Sequence, residues 1–323
     1  MNKKINWGIL GLGKIANKFA NDLLLSNNAN LHAVASRSFE KAKEFAKTYN
    51  ANKSYDNYTE LVEDPEIDIV YIATPHPFHF DNTMLCLLNN KAVLCEKPMG
   101  MDSSQVTLMI KEAQSRNLFL MEGLWTRFIP ATEKLLEIIN SGKIGDIEFV
   151  RADFGFKGDL NLKSRLYDKK LGGGSLLDIG IYPIYLSLLL LGIPDQIKAI
   201  ASMTETEVDS SCSILFNYSE GVIANLDSTI ESDTATEAFI YGSKGAIRIH
   251  QRFHHANKLT ISINGNQEVL DIPYHGNGYL YEIEEANNCL LSGNTESSKH
   301  SLKNSLDLIS VIDKVKDQIG LSY

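Results

Sequence analysis

The run Ile5-Asn6-Trp7-Gly8-Ile9-Leu10-Gly11-Leu12-Gly13-Lys14-Ile15-Ala16 decides the fold of this 323-residue chain. Ile5 to Leu10 reads as a short β-strand and Ile15 to Leu25 as an amphipathic helix, so the G-x-G-x-x-A pattern falls at a strand-to-helix turn. Gly11 permits the tight turn, Gly13 lets the backbone approach a pyrophosphate, and Ala16 lets helix and strand pack closely. The helix start at Lys14 and Ile15 offers unpaired N–H groups and the positive end of a dipole to phosphates. An incidental glycine turn is the alternative, but the place of the motif at the head of a βαβ series points to dinucleotide binding.

Outward from this loop, strand-like and helix-like stretches alternate through the first third of the chain. Leu31 to Ala35, Ile67 to Ala73, Ala92 to Cys95 and Phe119 to Met121 read as strands. Phe39 to Tyr49, Asp81 to Asn89 and Ser103 to Arg116 read as helices. That order predicts an α/β Rossmann domain, a doubly wound parallel sheet with helices on both faces, over residues 1–122. From Ile147 onward come longer β-type runs separated by turn signals such as Ser219-Glu220-Gly221, Ser243-Lys244-Gly245 and Asn264-Gly265. Helical stretches at 131–140, 176–191, 279–292 and 302–318 accompany them. The expectation for 123–323 is therefore an α+β domain with a large, mainly antiparallel open sheet.

Composition narrows the function classes. Lys and Arg total 31 against 40 for Asp and Glu, a net charge of -9, and the basic residues are scattered, which disfavours nucleic acid as a partner. Cys86, Cys95, Cys212 and Cys289 lie far apart, without metal or dithiol spacing, and read as buried reduced thiols of a cytoplasmic protein. Lys3 and Lys4 precede an apolar stretch that Lys14 and Lys18 cut too short for a secretory signal. The longest apolar run, Ile179 to Ile193, contains Pro183 and Gly192, so no membrane span is expected. His250, His254 and His255 lack carboxylate or thiol partners at metal-site spacing; they read as exposed, and no metal is expected.

The end of the second strand bears on which dinucleotide binds. An NAD-selective fold places a carboxylate there for the ribose 2′-hydroxyl. This chain has Ala35-Ser36-Arg37-Ser38, with Lys41 a turn later, a set suited to a 2′-phosphate and hence to NADP, with NAD use remaining open. Ser38 also fits a plain helix N-cap.

Further motifs follow later strands: Ala73-Thr74-Pro75-His76-Pro77-Phe78-His79, Cys95-Glu96-Lys97-Pro98, and Gly172-Gly173-Gly174-Ser175-Leu176-Leu177-Asp178-Ile179-Gly180-Ile181-Tyr182. With the glycine loop, these resemble the glucose-fructose oxidoreductase, inositol dehydrogenase and rhizopine catabolism (Gfo/Idh/MocA) family. Glu122-Gly123-Leu124-Trp125-Thr126-Arg127-Phe128 and Tyr182 are similar to its dimeric dihydrodiol dehydrogenase and NADP-dependent D-xylose dehydrogenase branch. The resemblance implies a homodimer through the second domain's sheet. It places Thr74, Pro75, His79, Glu96, Lys97 and Pro98 around the cofactor, with His79 near the nicotinamide.

Lys97 sits where a parallel strand ends, the edge at which open α/β sheets bind ligands, and Pro98 holds it extended. Tyr182 is the candidate for proton exchange with a substrate oxygen, its phenolate favoured by a nearby ammonium such as that of Lys97. Asp178 precedes it by four residues, on the same helix face, and is expected to orient substrate or Lys97. Trp125, Phe128, Phe154 and Tyr279 are candidate aromatic walls, with domain-interface packing the bland reading, and Arg127 a candidate for a polar substrate group. The expected function is hydride transfer between nicotinamide and a CHOH/C=O carbon of a sugar or vicinal diol. A glycosidase using transient oxidation and a non-catalytic NADP-binding sensor are the alternatives.

Overall fold

The computed structural model describes residues 4–158, 161, 164–219 and 221–323; Lys3 and Glu220, which entered the signal and turn readings, lie outside them. The chain runs β1 (Ile5–Leu10), α1 (Lys14–Leu23), β2 (Ala29–Ala35), α2 (Phe39–Tyr49), β3 (Lys53–Tyr55), α3 (Tyr58–Glu63), β4 (Ile69–Ile72), α4 (His79–Leu88), β5 (Ala92–Glu96), α5 (Ser103–Arg116), β6 (Leu120–Gly123) and α6 (Pro130–Asn140). It continues with β7 (Ile147–Gly155), α7 (Ile181–Leu191), β8 (Gln196–Met203), β9 (Asp209–Asn217), β10 (Ile223–Thr229), β11 (Ala238–Gly242), β12 (Gly245–Ile249), β13 (Lys258–Ile263), β14 (Asn266–Asp271), α8 (Leu280–Leu291) and α9 (Leu302–Ile319).

The first structural unit comprises the chain to Phe128 together with His275–Leu306. Its sheet is parallel throughout, in the order β3-β2-β1-β4-β5-β6. This is the doubly wound order expected, and it puts the reversal of strand order between β1 and β4, beside Gly11. Trp7, Ile9, Leu10, Ile69, Ile72 and Leu94 are fully buried, as strands covered on both faces must be. Two elements escaped the sequence reading: β3, three residues long, and α3, six residues long, both too short to show a period.

The consecutive domains expected at 1–122 and 123–323 differ from this division, because residues 275–306 return to the first unit. Asp22 of α1 explains the return. Its carboxylate accepts N–H bonds from Asn277 and Tyr279 at 2.8 Å, capping α8, a helix start without a side-chain cap of its own. Trp7 Nε1 donates to Asn287 Oδ1 at 3.0 Å deeper in the same packing.

The second unit, Ile129–Tyr274 with Asp307–Tyr323, is built on an eight-stranded sheet in the order β14-β13-β12-β11-β7-β10-β9-β8. Only the β7–β10 pair is parallel, so the mainly antiparallel expectation holds. Helices α6 and α7 pack on it. Alternation along the strands buries Ile214, Phe216, Leu226, Ile240 and Ile247 and turns Leu215, Ile223 and Tyr241 outward. The apolar stretch over 169–191 is long enough to cross a bilayer by length and composition alone, but it is mostly buried within this unit and interrupted by turns. All four cysteines are buried free thiols.

Candidate active site

In the first unit, Gly11 adopts φ +85°, and a Cβ there would meet Thr74 Cγ2 at 2.8 Å and the Ala73 carbonyl at 3.0 Å, so the turn admits only glycine. A Cβ on Gly13 would meet nothing within 4 Å, which leaves open space over the start of α1. Helix α1 has no side-chain cap and no acidic residue in its first turn. Its leading N–H groups, at Lys14, Ile15 and Ala16, thus keep their affinity for an anion, and the residues present fit a dinucleotide pyrophosphate.

At the end of β2, Ser36 is buried and its Oγ accepts the N–H of Ser38 at 3.3 Å, while Ser38 caps α2 by accepting from Lys41 N at 3.5 Å. Ser38 is therefore the N-cap that its sequence position allowed. Arg37 and Lys41 are exposed, Arg37 lies close enough to Tyr58 for its charge to be felt there, and the strand end carries no carboxylate. A 2′-phosphate fits this end better than a bare ribose diol.

The ends of β4 and β5 are knitted together. Thr74 Oγ1 accepts from Asn82 Nδ2 at 3.0 Å, and Pro75 opens the short turn His76–Phe78. Glu96 accepts from the hydroxyl of Tyr71 and, at 3.3 Å, from the N–H of Lys97. Burial pushes the Glu96 carboxyl up, and burial pushes fully buried Glu282 of α8 well up, with the charges of Glu96 and Asp22 adding to it. The Lys97–Pro98 peptide is cis, and Lys97 follows directly on the carboxyl end of β5. His79, expected at the nicotinamide, is instead wholly buried, its Nδ1 2.7 Å from the Pro98 carbonyl and its Nε2 2.7 Å from that of Thr74. Both nitrogens are engaged with main chain, so neither faces a cofactor.

Trp125 and Tyr279 do come together, stacked with centroids 4.6 Å apart and planes at 17°. Phe128 is buried, and Arg127, also buried, donates Nε–H to the Lys299 carbonyl at 2.9 Å. That bond ties two segments of the unit.

In the second unit the G-G-G-S stretch is shaped by what lies behind it. A Cβ on Gly173 would meet the Leu166 carbonyl at 2.6 Å, and one on Gly174, at φ +105°, would collide with Asp209 Oδ1. Asp209 is buried and accepts from Ser175 Oγ at 2.6 Å and Leu176 N at 2.7 Å; burial pushes its carboxyl up to about 6. The helix expected over 176–191 begins as a π turn, Leu176–Gly180, before α7. Pro183 offers no N–H to the Ile179 carbonyl, which works against a continuous α-helix here, and single π turns recur at functional sites. This turn presents Asp178, whose Oδ1 takes a 2.8 Å ion pair from Arg165 Nη2.

Tyr182, on the first turn of α7, is buried beside two rings: Phe154 at 5.7 Å and His254 at 4.9 Å between centroids. His254 in turn stacks on Phe154 at 4.3 Å and 20°. The histidines read as exposed are thus corrected: His254 is buried against the candidate proton-exchanging tyrosine, His250 bonds Thr260 Oγ1 at 2.7 Å, and His255 Nδ1 bonds Tyr274 OH at 2.8 Å. No local motif marks His254, because it enters from the connection between β12 and β13, some seventy residues from Tyr182.

Elsewhere in the first unit, His32, Asp64 and Glu66 bring ligand atoms within 4.8 Å of one another. The ammonium of Lys53 already fills that space, 3.1 Å from Asp64 and 2.7 Å from Glu66, making it an ion-pair cluster rather than a metal cradle.

Residues 5–124 match the model of the oxidoreductase family with NAD-binding Rossmann fold, and residues 132–248 match that of the GFO/IDH/MocA C-terminal domain. The chain is 38% identical over 329 residues to trans-1,2-dihydrobenzene-1,2-diol dehydrogenase of Xenopus tropicalis, covering 98% of each. It is 34% identical over 331 residues to the human enzyme of that name, covering 99% of this chain and 98% of the relative. Among solved structures, a tyrosine-to-phenylalanine variant of KijD10, a 3-ketoreductase from Actinomadura kijaniata in complex with TDP-benzene and NADP, matches with a TM-score of 0.89 and 25% identity over 98% of both chains. The fold of an aldose-aldose oxidoreductase from Caulobacter crescentus also matches, with a TM-score of 0.89 at 24% identity over 98% of this chain and 97% of that one. A nicotinamide-dependent dehydrogenase scaffold is what the glycine loop, the strand order and these matches define together. The chain belongs to the Gfo/Idh/MocA oxidoreductase family, and it is an NAD(P)-dependent oxidoreductase acting on CH–OH groups.

Proposed function

We propose that this enzyme uses NADP to oxidise a vicinal diol or sugar hydroxyl, or to reduce the corresponding carbonyl, with Tyr182 exchanging the proton at the substrate oxygen. The observation that carries this reading is the setting of Tyr182: a phenol at the head of α7, walled by Phe154 and His254, four residues after an ion-paired Asp178. The 34–38% identity to dihydrodiol dehydrogenases along the whole chain supports the diol class, and Arg37 at an acid-free strand end supports NADP.

A dinucleotide held by its pyrophosphate at the loop of residues 11–16 would supply the hydride acceptor or donor through its nicotinamide. In oxidation, the substrate C–H bond gives up its electron pair as hydride, and the O–H proton passes to the Tyr182 oxygen as the C=O bond forms. Lys97 supplies an ammonium at the carboxyl end of β5, the edge at which such a sheet binds its ligand, and Asp178, fixed by Arg165, orients a substrate hydroxyl. Homodimerisation through the outward sheet face is part of this reading, supported by exposed Ile200, Leu215, Ile223, Tyr241 and Val269. A cytoplasmic setting is likewise inferred, from four buried thiols left free.

Spectrophotometric turnover of NADP with a panel of trans-diols and aldoses, beside an assay for glycoside cleavage, tests the reading. NADPH formation with at least one diol or aldose is the expected result. Glycoside cleavage without net cofactor change would replace it by the glycosidase, and tight NADP binding without either reaction by a sensor.

A further inference from the structure

His79 presents an arithmetic problem in protons. Its two ring nitrogens each lie 2.7 Å from a main-chain carbonyl oxygen, one from Pro98 and one from Thr74. Carbonyls accept and never donate, so both contacts are hydrogen bonds only if both nitrogens carry hydrogen. A neutral ring has one N–H and one lone pair, and a lone pair facing a carbonyl oxygen at that distance is repulsive. Turning the ring over does not help, because carbon would then occupy the nitrogen positions, and C–H···O contacts need 3.3 Å or more. The residue is completely buried, so water has no room to intervene.

We propose that His79 acts as an imidazolium clamp, its two N–H groups holding the Thr74 and Pro98 carbonyls so that Lys97, between β5 and Pro98, is kept in place for the reaction. The clamp rests on the proposed function for its catalytic consequence but not for its charge state. The two carbonyls belong to the connections after β4 and after β5, the strand ends that bear Thr74 and Lys97. The titratable groups that act on or lie against the ring include Lys97 at the end of β5, Glu122 on β6 with His300 behind it at 3.3 Å, and His76, whose ring centroid is 5.8 Å away. Burial pulls the second proton of His79 off, the two carbonyls and Glu122 hold it on, and the Lys97 charge works against it. The balance lies below the ordinary imidazole range. The clamp is therefore closed with both bonds on the acid side of that titration, and as the pH rises through it one bond must be released, loosening Lys97. His79 is a positioning residue on this account, not a base: in the clamped state it has no lone pair to offer.

The test is a pH titration of the protein labelled with nitrogen-15 in histidine. The chain contains 8 histidines, and His79→Gln identifies the relevant resonances. Should that variant not fold, a ring with both N–H protons protected from solvent exchange identifies the clamp in the unaltered protein. The expected result is a doubly protonated His79 at the acid end, losing one proton below the pKa of an exposed imidazole. A ring carrying a single proton throughout the range in which the protein is folded overturns the clamp, whatever the enzyme's substrate. The second arm reads kinetics: on the acid side of the His79 titration, where the clamp is closed, His79→Gln should lower kcat about tenfold to a hundredfold through misplacement of Lys97, and the difference should shrink as the pH rises. NADPH affinity should stay within about threefold, and the pH profile of kcat should lose the inflection that follows the His79 titration. A doubly protonated ring with an unchanged pH profile in the variant overturns the positioning role alone. Absence of turnover on any diol or sugar would count against the proposed function and leave the charge state standing.

Discussion

Tyr182→Phe removes one oxygen and leaves the ring packed on Phe154 and His254. If that oxygen exchanges the proton, turnover falls about 100- to 10,000-fold while NADPH binding, followed by fluorescence, is retained. Lys97→Met should do comparable damage, and the double variant should lose much less than the product of the two if the side chains act as a unit. A Tyr182→Phe enzyme that keeps more than about a tenth of wild-type turnover with chemistry rate-limiting removes the tyrosine from the mechanism. Arg37→Glu is the complementary cofactor test: it puts a repelling carboxylate in place of a phosphate partner, so titration should show NADP affinity falling far more than NAD affinity. Equal losses would make Arg37 structural. What the sequence reveals at this scale is whatever depends on neighbours in the chain. The turn at Gly11 and the N-cap at Ser38 follow from a strand end and a helix start, and the structure has both. The packing of Arg127, His79 and His254 is not legible in the sequence, because their partners Lys299, Pro98 and Tyr182 lie 172, 19 and some seventy residues away. Only the folded chain supplies those contacts.

The segment from Gly172 to Leu191 shows the same limit for an element. Its apolar period reads as a single helix, and Pro183 alone hints at the π turn that the structure places at Leu176–Gly180. The reason for three successive glycines is tertiary: the Leu166 carbonyl and the Asp209 carboxylate occupy the space that side chains on Gly173 and Gly174 would need. Asp209 thus serves as the cap of an element it does not belong to, and its proton affinity gives a stability signature. Burial raises its carboxyl from 3.8 to about 6, and a folded pKa above the unfolded one adds stability that is complete below the unfolded value. That stability drains away as the pH climbs from about 4 through about 6, a change on the order of 3 kcal/mol for a shift of this size. Urea denaturation of the wild type and of Asp209→Asn across this range isolates the effect. The wild type should lose stability relative to the variant as the pH rises, since the amide keeps an acceptor for Ser175 and Leu176 without a charge to bury. Parallel curves would show that Asp209 ionises as freely as an exposed carboxyl, and a relative gain for the wild type that it ionises more readily still; either overturns the effect.

For the whole molecule, the sequence conveys the two architectures and misses how the chain travels between them. Residues 275–306 belong to the first unit because Asp22 caps α8 and Asn287 meets Trp7, pairings more than 250 residues apart that no local pattern encodes. The sheet of the second unit is better encoded, since its strands alternate inward and outward residues. That alternation leaves an anomaly: positions facing away from α6 and α7 are polar in a monomer's sheet, yet here Ile200, Leu215, Ile223, Tyr241 and Val269 are exposed. Their places on β8, β9, β10, β11 and β14 spread the apolar side chains across the sheet rather than at one edge. The same rows also carry Lys198, Arg151 and Arg248 beside Leu215, and Ser213 and Asp227 beside Ile200, so the face is mixed, and a second copy of the same face is the cover we propose for its exposed apolar side chains. Light scattering at micromolar concentration should therefore report twice the chain mass. Leu215→Lys combined with Ile200→Lys should shift the particle to monomer, because each copy would lose two apolar contacts and add two like charges beside Lys198 and Arg151. Both substitutions lie on exposed positions, so circular dichroism should show the fold intact. A wild-type particle of monomer mass would leave the apolar face unexplained by self-association, and a double variant that remains dimeric would move the contact to a different surface.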